Sequence, residues 1–115
     1  MRVGILTVST SRATGGPDES GDELERFARE LGGEVAVREI CSDERELIEA
    51  RLRRFCDEQG CELVLTTGGT GVAPRDVTPE ATLAVIERAV PGIAEAMRAA
   101  SREHTRHWML SRGVA

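Results

Sequence analysis

Alternation restricts the fold of this chain more than any other feature. Short apolar, β-branched runs recur, each followed by a stretch whose apolar residues return every three or four positions. Residues 3–8, Val-Gly-Ile-Leu-Thr-Val, read as a strand buried on both faces. A polar loop covers 9–19. A helix follows, opened by Asp18 or Ser20, with Leu24, Phe27, Ala28 and Leu31 on one side and Gly32-Gly33 as its stop. Residues 35–37 and Ile40 form a second, more alternating strand nearer a sheet edge. Ser42 or Asp43 opens the next helix, Leu47, Ile48, Leu52 and Phe55 give its apolar face, and Gly60 ends it. Residues 62–66 are the third strand, and a glycine-rich loop runs from Thr67 to Asp76. Thr78-Pro79-Glu80 then starts a helix, with Thr78 as its N-cap, that reaches about Arg88. Pro91-Gly92 interrupts the pattern before a helix over 93–103, and 108–115 read as the start of a further strand or as a loop.

This order predicts an α/β fold, a mostly parallel sheet between helices in a three-layer αβα sandwich. Ligands in such sheets bind beyond the carboxyl ends of the strands, where the strand order switches. Three segments fall there: the loop over 9–20, residues 41–44, and residues 66–78.

Composition narrows the function classes. The 115 residues, 40% hydrophobic and 30% charged, suit one globular domain rather than a disordered chain. Aromatics are 3%, so the core is aliphatic and base-stacking platforms are all but excluded. The net charge of −5 argues against nucleic acid and anionic membranes as partners. Every basic residue is an arginine; without lysine there is neither Schiff-base chemistry nor a Walker-type phosphate lysine. Cys41, Cys56 and Cys61 lack close metal-ligand spacing and read as plain thiols. No apolar run has the length of a membrane span, and the opening residues are too short for a signal peptide, so the chain is read as cytoplasmic.

The strongest chemical feature is Thr66-Thr67-Gly68-Gly69-Thr70-Gly71, followed by Pro74-Arg75-Asp76-Val77-Thr78-Pro79-Glu80. Three glycines in four residues let backbone approach a ligand closely, and successive N–H groups in such a loop form a nest for anions. A tight strand-to-helix turn would use glycine too. Asp43 stands where a helix cap stands, and Asp76 where a turn cap does, so each reads as a cap or as a ligand. Arg75 reads equally as a phosphate contact or as the partner of an acid. Ser9, Ser11 and Ser20 are hydroxyl donors in turn-forming positions, and His104 and His107 read as exposed residues without a role.

The run Leu-Thr-Thr-Gly-Gly-Thr-Gly-Val-Ala-Pro-Arg-Asp-Val-Thr-Pro-Glu-Ala-Thr over 65–82 resembles the signature of the MogA/MoaB family of molybdenum-cofactor biosynthesis proteins, relatives of the gephyrin G domain. Residues 3–12 resemble that family's first strand and Ser-rich loop, and 18–21 its D-x-S-G segment. Ser42-Asp43-Glu44 resembles its P-D-E, with serine for proline, while Pro91-Gly92 and Leu110-Ser111-Arg112 resemble its PG and LSR elements. The resemblance spans the chain and implies a molybdopterin-binding fold over 1–115. It implies ATP-dependent adenylylation of molybdopterin with Mg²⁺, Asp43 and Asp76 being the catalytic pair and the metal ligands. It places Thr67, Gly68, Gly69, Thr70, Gly71, Arg75, Ser9, Ser111 and Arg112 on the substrate side. It also implies a homo-oligomer, trimer or hexamer; the small aliphatic core and the apolar surface it leaves to cover put the subunit contact on the helix over 93–103 and the Trp108 region, with a trimer expected. A non-catalytic molybdopterin-binding module and a CinA-type domain are the alternatives. The family pattern continues beyond its LSR element with another buried strand and an Asn-Leu-Pro-Gly-Ser-like loop, whereas this sequence runs to Ala115; the expectation is a domain without that C-terminal strand.

Overall fold

The computed structural model describes all 115 residues. Three parallel strands, β1 (Arg2–Val8), β2 (Glu34–Cys41) and β3 (Leu63–Thr67), form a sheet in the order β2-β1-β3. Five helices accompany them: α1 (Thr10–Ala13), α2 (Glu19–Glu30), α3 (Arg45–Asp57), α4 (Thr78–Val85) and α5 (Pro91–Ala100). Short 3-10 turns follow at Ser101–Glu103 and Trp108–Leu110. No helix is long and apolar enough to cross a membrane.

β1 is the central strand, and its period-two alternation serves two cores. Val3 and Ile5 pack with Ala28 and Leu24 of α2 on one face. Leu6 and Val8 pack with Ile48, Leu52 and Phe55 of α3 and Ala81 of α4 on the other. Helices on both faces explain why the run is apolar at almost every position. β2 lies at an edge and carries charge. Its Arg38 bonds Asp18, Asp22 and Glu25 at α2, at 3.1, 2.7 and 2.7 Å. Its neighbour Glu39 turns to the opposite face, where it pairs with Arg51 at 3.3 Å and with Arg54, both of α3.

Several element ends differ from the sequence reading, and long-range bonds account for most of the differences. The 9–19 loop contains α1, capped by Ser9, whose hydroxyl accepts the Arg12 amide. Asp18, not Ser20, caps α2; its carboxylate accepts the Gly21 amide at 3.1 Å. Glu44 occupies the cap position of α3 without a capping side-chain bond, because the Asp43 carboxylate is engaged by Thr10. Val77 rather than Thr78 is the N-cap of α4, since the Thr78 hydroxyl donates to the Gly68 carbonyl at 2.9 Å. That helix ends at Val85, short of Arg88. Pro91 begins α5 instead of breaking a helix, which suits a residue whose missing N–H costs nothing in a first turn. Residues 108–115 add no strand; after the 3-10 turn they lie along the glycine-rich loop, where the Arg112 amide donates to the Thr70 carbonyl at 2.8 Å.

The three cysteines are unpaired; Cys41 is buried, Cys61 half-buried and Cys56 exposed, and desolvation pushes each thiol above its ordinary value, away from the nucleophilic thiolate.

Candidate active site

With the order β2-β1-β3, the connection from β1 runs to β2 on one side and that from β2 returns past β1 to β3 on the other, so the switch in strand order falls between β1 and β3. Their carboxyl ends put Val8 and Ser9 beside Thr67, Gly68 and Gly69. The contact is close. Gly68 has φ +94, and a Cβ there would stand 2.1 Å from the Val8 carbonyl oxygen; Gly69 has φ +69, and its Cβ would stand 2.3 Å from Thr78 Oγ1. Both residues take the left-handed region that favours glycine, and both lack room for a side chain. The amides of Gly68, Gly69, Thr70 and Gly71 donate to no protein acceptor, so four successive N–H groups stand available beside the switch.

The end of β2 joins the site through backbone. Ser9 N–H donates to the Cys41 carbonyl at 2.8 Å. Just beyond, Asp43 Oδ2 accepts both the amide and the hydroxyl of Thr10 at 2.9 Å, and the Asp43 amide returns a bond to Thr10 Oγ1 at 3.1 Å. Asp76 is held in a similar way: its Oδ2 accepts the Ala73 amide at 3.0 Å. The loop folds that carboxylate over Gly71, where a Cβ would come within 2.7 Å of Oδ2. Each aspartate therefore has one oxygen fixed by an N–H and the other, Oδ1, without a protein partner.

These residues meet in one cavity of about 230 Å³, lined by Val8, Ser9, Thr10, Ser11, Asp43, Gly69, Arg75 and Asp76. A second, of about 260 Å³, lies across the Val8–Gly68 contact and includes Ser9, Arg12, Asp18, Ser20, Thr67 and Gly68. A third, of about 180 Å³, is lined among others by Thr67, Gly68, Thr70, Thr78 and Ser111. The largest depression, about 590 Å³, is an open surface along α2 lined by no hydrophobic residue, and it meets the second cavity at Glu19 and Ser20.

The expected residues thus divide. Asp43, Asp76, Ser9, Gly69 and Arg75 share the first cavity, Thr67 and Gly68 the second and third, and Thr70 and Ser111 the third. Gly71 and Arg112 line none of the three, and Arg112 Nε donates to the Gly71 carbonyl at 2.8 Å. Sequence reasoning passed over Thr10 and Arg12. Arg12 and Arg75 have no acidic partner, and each lines a cavity on either side of the glycine pair. Most other arginines near acids are paired, so an arginine inside a Ser/Thr loop, remote from any helical i+4 acid, was the available signal for Arg12.

Asp18 lines the second cavity and has a perturbed carboxyl. Burial raises its pKa, but the Gly21 amide, Arg38 and the Thr7 hydroxyl together hold it below the ordinary carboxylate value. No third carboxylate, histidine or thiol joins Asp43 and Asp76 in a metal-ligating cluster. Two oxygen donors suit Mg²⁺, which keeps several waters and takes the rest of its ligands from phosphates.

The sequence profile of the family described as "Probable molybdopterin binding domain" matches residues 4–115. The chain belongs to this family. It is 42% identical over 117 residues to the molybdopterin adenylyltransferase of Haemophilus influenzae, covering 99% of this chain and 59% of that protein. To the molybdopterin adenylyltransferase of Helicobacter pylori it is 43% identical over 119 residues, covering 100% of this chain and 67% of that protein. The chain therefore spans about three-fifths to two-thirds of the length of these relatives. Among solved structures, the molybdopterin biosynthesis enzyme MoaB from Thermus thermophilus superposes with a TM-score of 0.91 at 45% identity, over 99% of this chain and 72% of that one. The shared fold includes the parallel sheet and its flanking helices.

Proposed function

We propose that this protein is a molybdopterin adenylyltransferase of the cytoplasm, its 115 residues acting as a single molybdopterin-binding domain. The observation that carries the reading is the meeting of Asp43 and Asp76, far apart in sequence, in one cavity beside Gly69. A phosphate oxygen of molybdopterin forms a bond to the α-phosphorus of ATP, the bond from that phosphorus to the bridging oxygen breaks, and pyrophosphate leaves. The reaction asks the protein for positioning and charge compensation rather than covalent chemistry.

The residues divide that work. Asp43 and Asp76 would hold Mg²⁺, and the ion, when bound, would supply positive charge against the triphosphate. The free amides of the glycine loop and the Arg75 guanidinium receive phosphate oxygens on the same side. Ser9 and Ser11 add hydroxyl donors. Across the Gly68 wall, Arg12, Ser20 and Thr67 receive the second substrate, and Thr70 and Ser111 extend that side into the third cavity. Arginine must do here what lysine does in many nucleotide sites, as the chain has none. The exposed Val90, which caps α5, and Ile93 and Met97 within it, with Met109 and Leu110, support a homo-oligomer, trimer or hexamer, built on this face.

Asp43→Asn and Asp76→Asn keep the shape and remove a charge. Each is expected to slow pyrophosphate release about 10²-fold or more, while molybdopterin binding, followed by fluorescence quenching, changes little. Near wild-type rates in both variants would refute the two-carboxylate reading. Binding of molybdopterin by a wild-type protein that releases no pyrophosphate would make it a binding module instead.

A further inference from the structure

Arg112 reaches the site from the far end of the chain and touches the loop at both of its ends. Its backbone amide donates to the Thr70 carbonyl at 2.8 Å. Its Nε donates to the Gly71 carbonyl at 2.8 Å and its Nη2 to the Asp76 carbonyl at 2.6 Å. Its Nη1 lies 3.1 and 2.7 Å from the two oxygens of Glu80, in the first turn of α4. Between those anchor points the loop has little of its own to hold it: the Ala73 amide bonds Asp76 Oδ2, and the Asp76 amide bonds the Ala73 carbonyl, both at 3.0 Å. One planar fork therefore closes the turn that aims Asp76.

We infer that Arg112 is a positioning residue of the proposed reaction, acting on Asp76 and the free loop amides through the two carbonyls it grips, with Glu80 as its anchor. The inference rests on the adenylyltransferase reading for its kinetic consequences and on the hydrogen bonds alone for its structural ones. Three observations separate this role from direct contact with substrate. Nε, Nη1 and Nη2 all already donate to protein acceptors. The Glu80 carboxylate neutralises the charge a phosphate would seek; each partner shifts the other's pKa toward the charged form, chiefly through their shared hydrogen bonds. Arg112 lines none of the cavities at the strand ends. A lysine cannot replace it, because a single ammonium does not span the Gly71 carbonyl, the Asp76 carbonyl and Glu80 in one plane.

Arg112→Lys, Glu80→Gln and Asp76→Asn, with the Arg112→Lys/Asp76→Asn double variant, test the inference by steady-state kinetics and amide hydrogen exchange. A loop carboxylate displaced by about 1 Å loses up to about 10²-fold in rate. Arg112→Lys is therefore expected to lower kcat at least about 10-fold, with KM for ATP and molybdopterin within about threefold of wild type. Glu80→Gln, which keeps the arginine and a neutral acceptor, gives a smaller loss in the same direction. In the Asp76→Asn background, Arg112→Lys adds no more than about twofold, because both changes act through one group. Amides over 71–76 exchange faster in Arg112→Lys while those of β1 do not. A raised KM at unchanged kcat would make Arg112 a substrate ligand and overturn the inference, as would fully multiplicative losses in the double variant. Unchanged exchange over 71–76 would overturn it even if the wild-type protein adenylylates nothing, so the failure of the two readings is told apart.

Discussion

Replacing Gly68 by alanine tests the tightest contact in the site. The residue has φ +94, and the new Cβ would lie 2.1 Å from the Val8 carbonyl oxygen and 3.1 Å from its carbon. The left-handed backbone alone costs about 1–2 kcal/mol for an L side chain. The contact adds more, because neither atom is the end of a flexible side chain: the Gly68 backbone must retreat from β1 by about 1 Å, a disturbance of the order of overpacking, about 1–3 kcal/mol. Together the loss is about 2–5 kcal/mol, a large part of the stability of a small domain. Gly15→Ala is the matched control. Its φ is +127, also unfavourable, but nothing lies within 4 Å of the added Cβ, so it loses only the backbone term. Urea unfolding followed by far-ultraviolet circular dichroism measures both. Gly68→Ala within about 0.5 kcal/mol of wild type, or no more damaging than Gly15→Ala, would refute the close approach of β1 and the loop.

Two further outcomes follow from the same geometry. The Asp18 carboxyl is depressed in the fold, so its contribution to stability is complete above its unfolded pKa of about 3.9 and disappears as pH falls through the lower folded value; Asp18→Asn should flatten the acid limb of a stability-versus-pH curve below about pH 4, and an unchanged limb would contradict the Thr7, Gly21 and Arg38 bonds. Arg12→Ala should raise KM for one phosphate-bearing substrate about 10-fold or more with kcat nearly constant, in an effect that weakens with added salt; equal KM values would remove Arg12 from the site.

What the sequence made legible was local. The buried run of β1, the amphipathic faces of α2 and α3, and the carboxyl-end position of the glycine loop all follow from periods of two and 3.6 and from the conformational range of glycine. The misreadings share a cause in contacts made across the chain. Thr78 has an N-cap's chemistry beside Pro79, but the Gly68 carbonyl is the acceptor its hydroxyl finds. Asp43 has a helix-opening position, yet Thr10, brought beside it by the Ser9–Cys41 bond, takes its carboxylate. The family resemblance puts Arg112 on the substrate side, and nothing local shows that the Gly71 and Asp76 carbonyls and Glu80 converge on it. Residues 108–115 read as a strand start or as a loop, and the bond from the Arg112 amide to the Thr70 carbonyl goes with the second. Local pattern locates the cleft; which side chains face it and which brace it depends on partners dozens of positions away.

Transfer of radiolabel from ATP to molybdopterin tests the central claim most directly. With ATP labelled at the α-phosphorus, the protein is expected to yield labelled adenylyl-molybdopterin and unlabelled pyrophosphate, and the Asp43→Asn/Asp76→Asn double variant to yield neither at a comparable rate. Label that stays in ATP with the wild-type protein, or transfer that survives the loss of both carboxylates, would contradict the account.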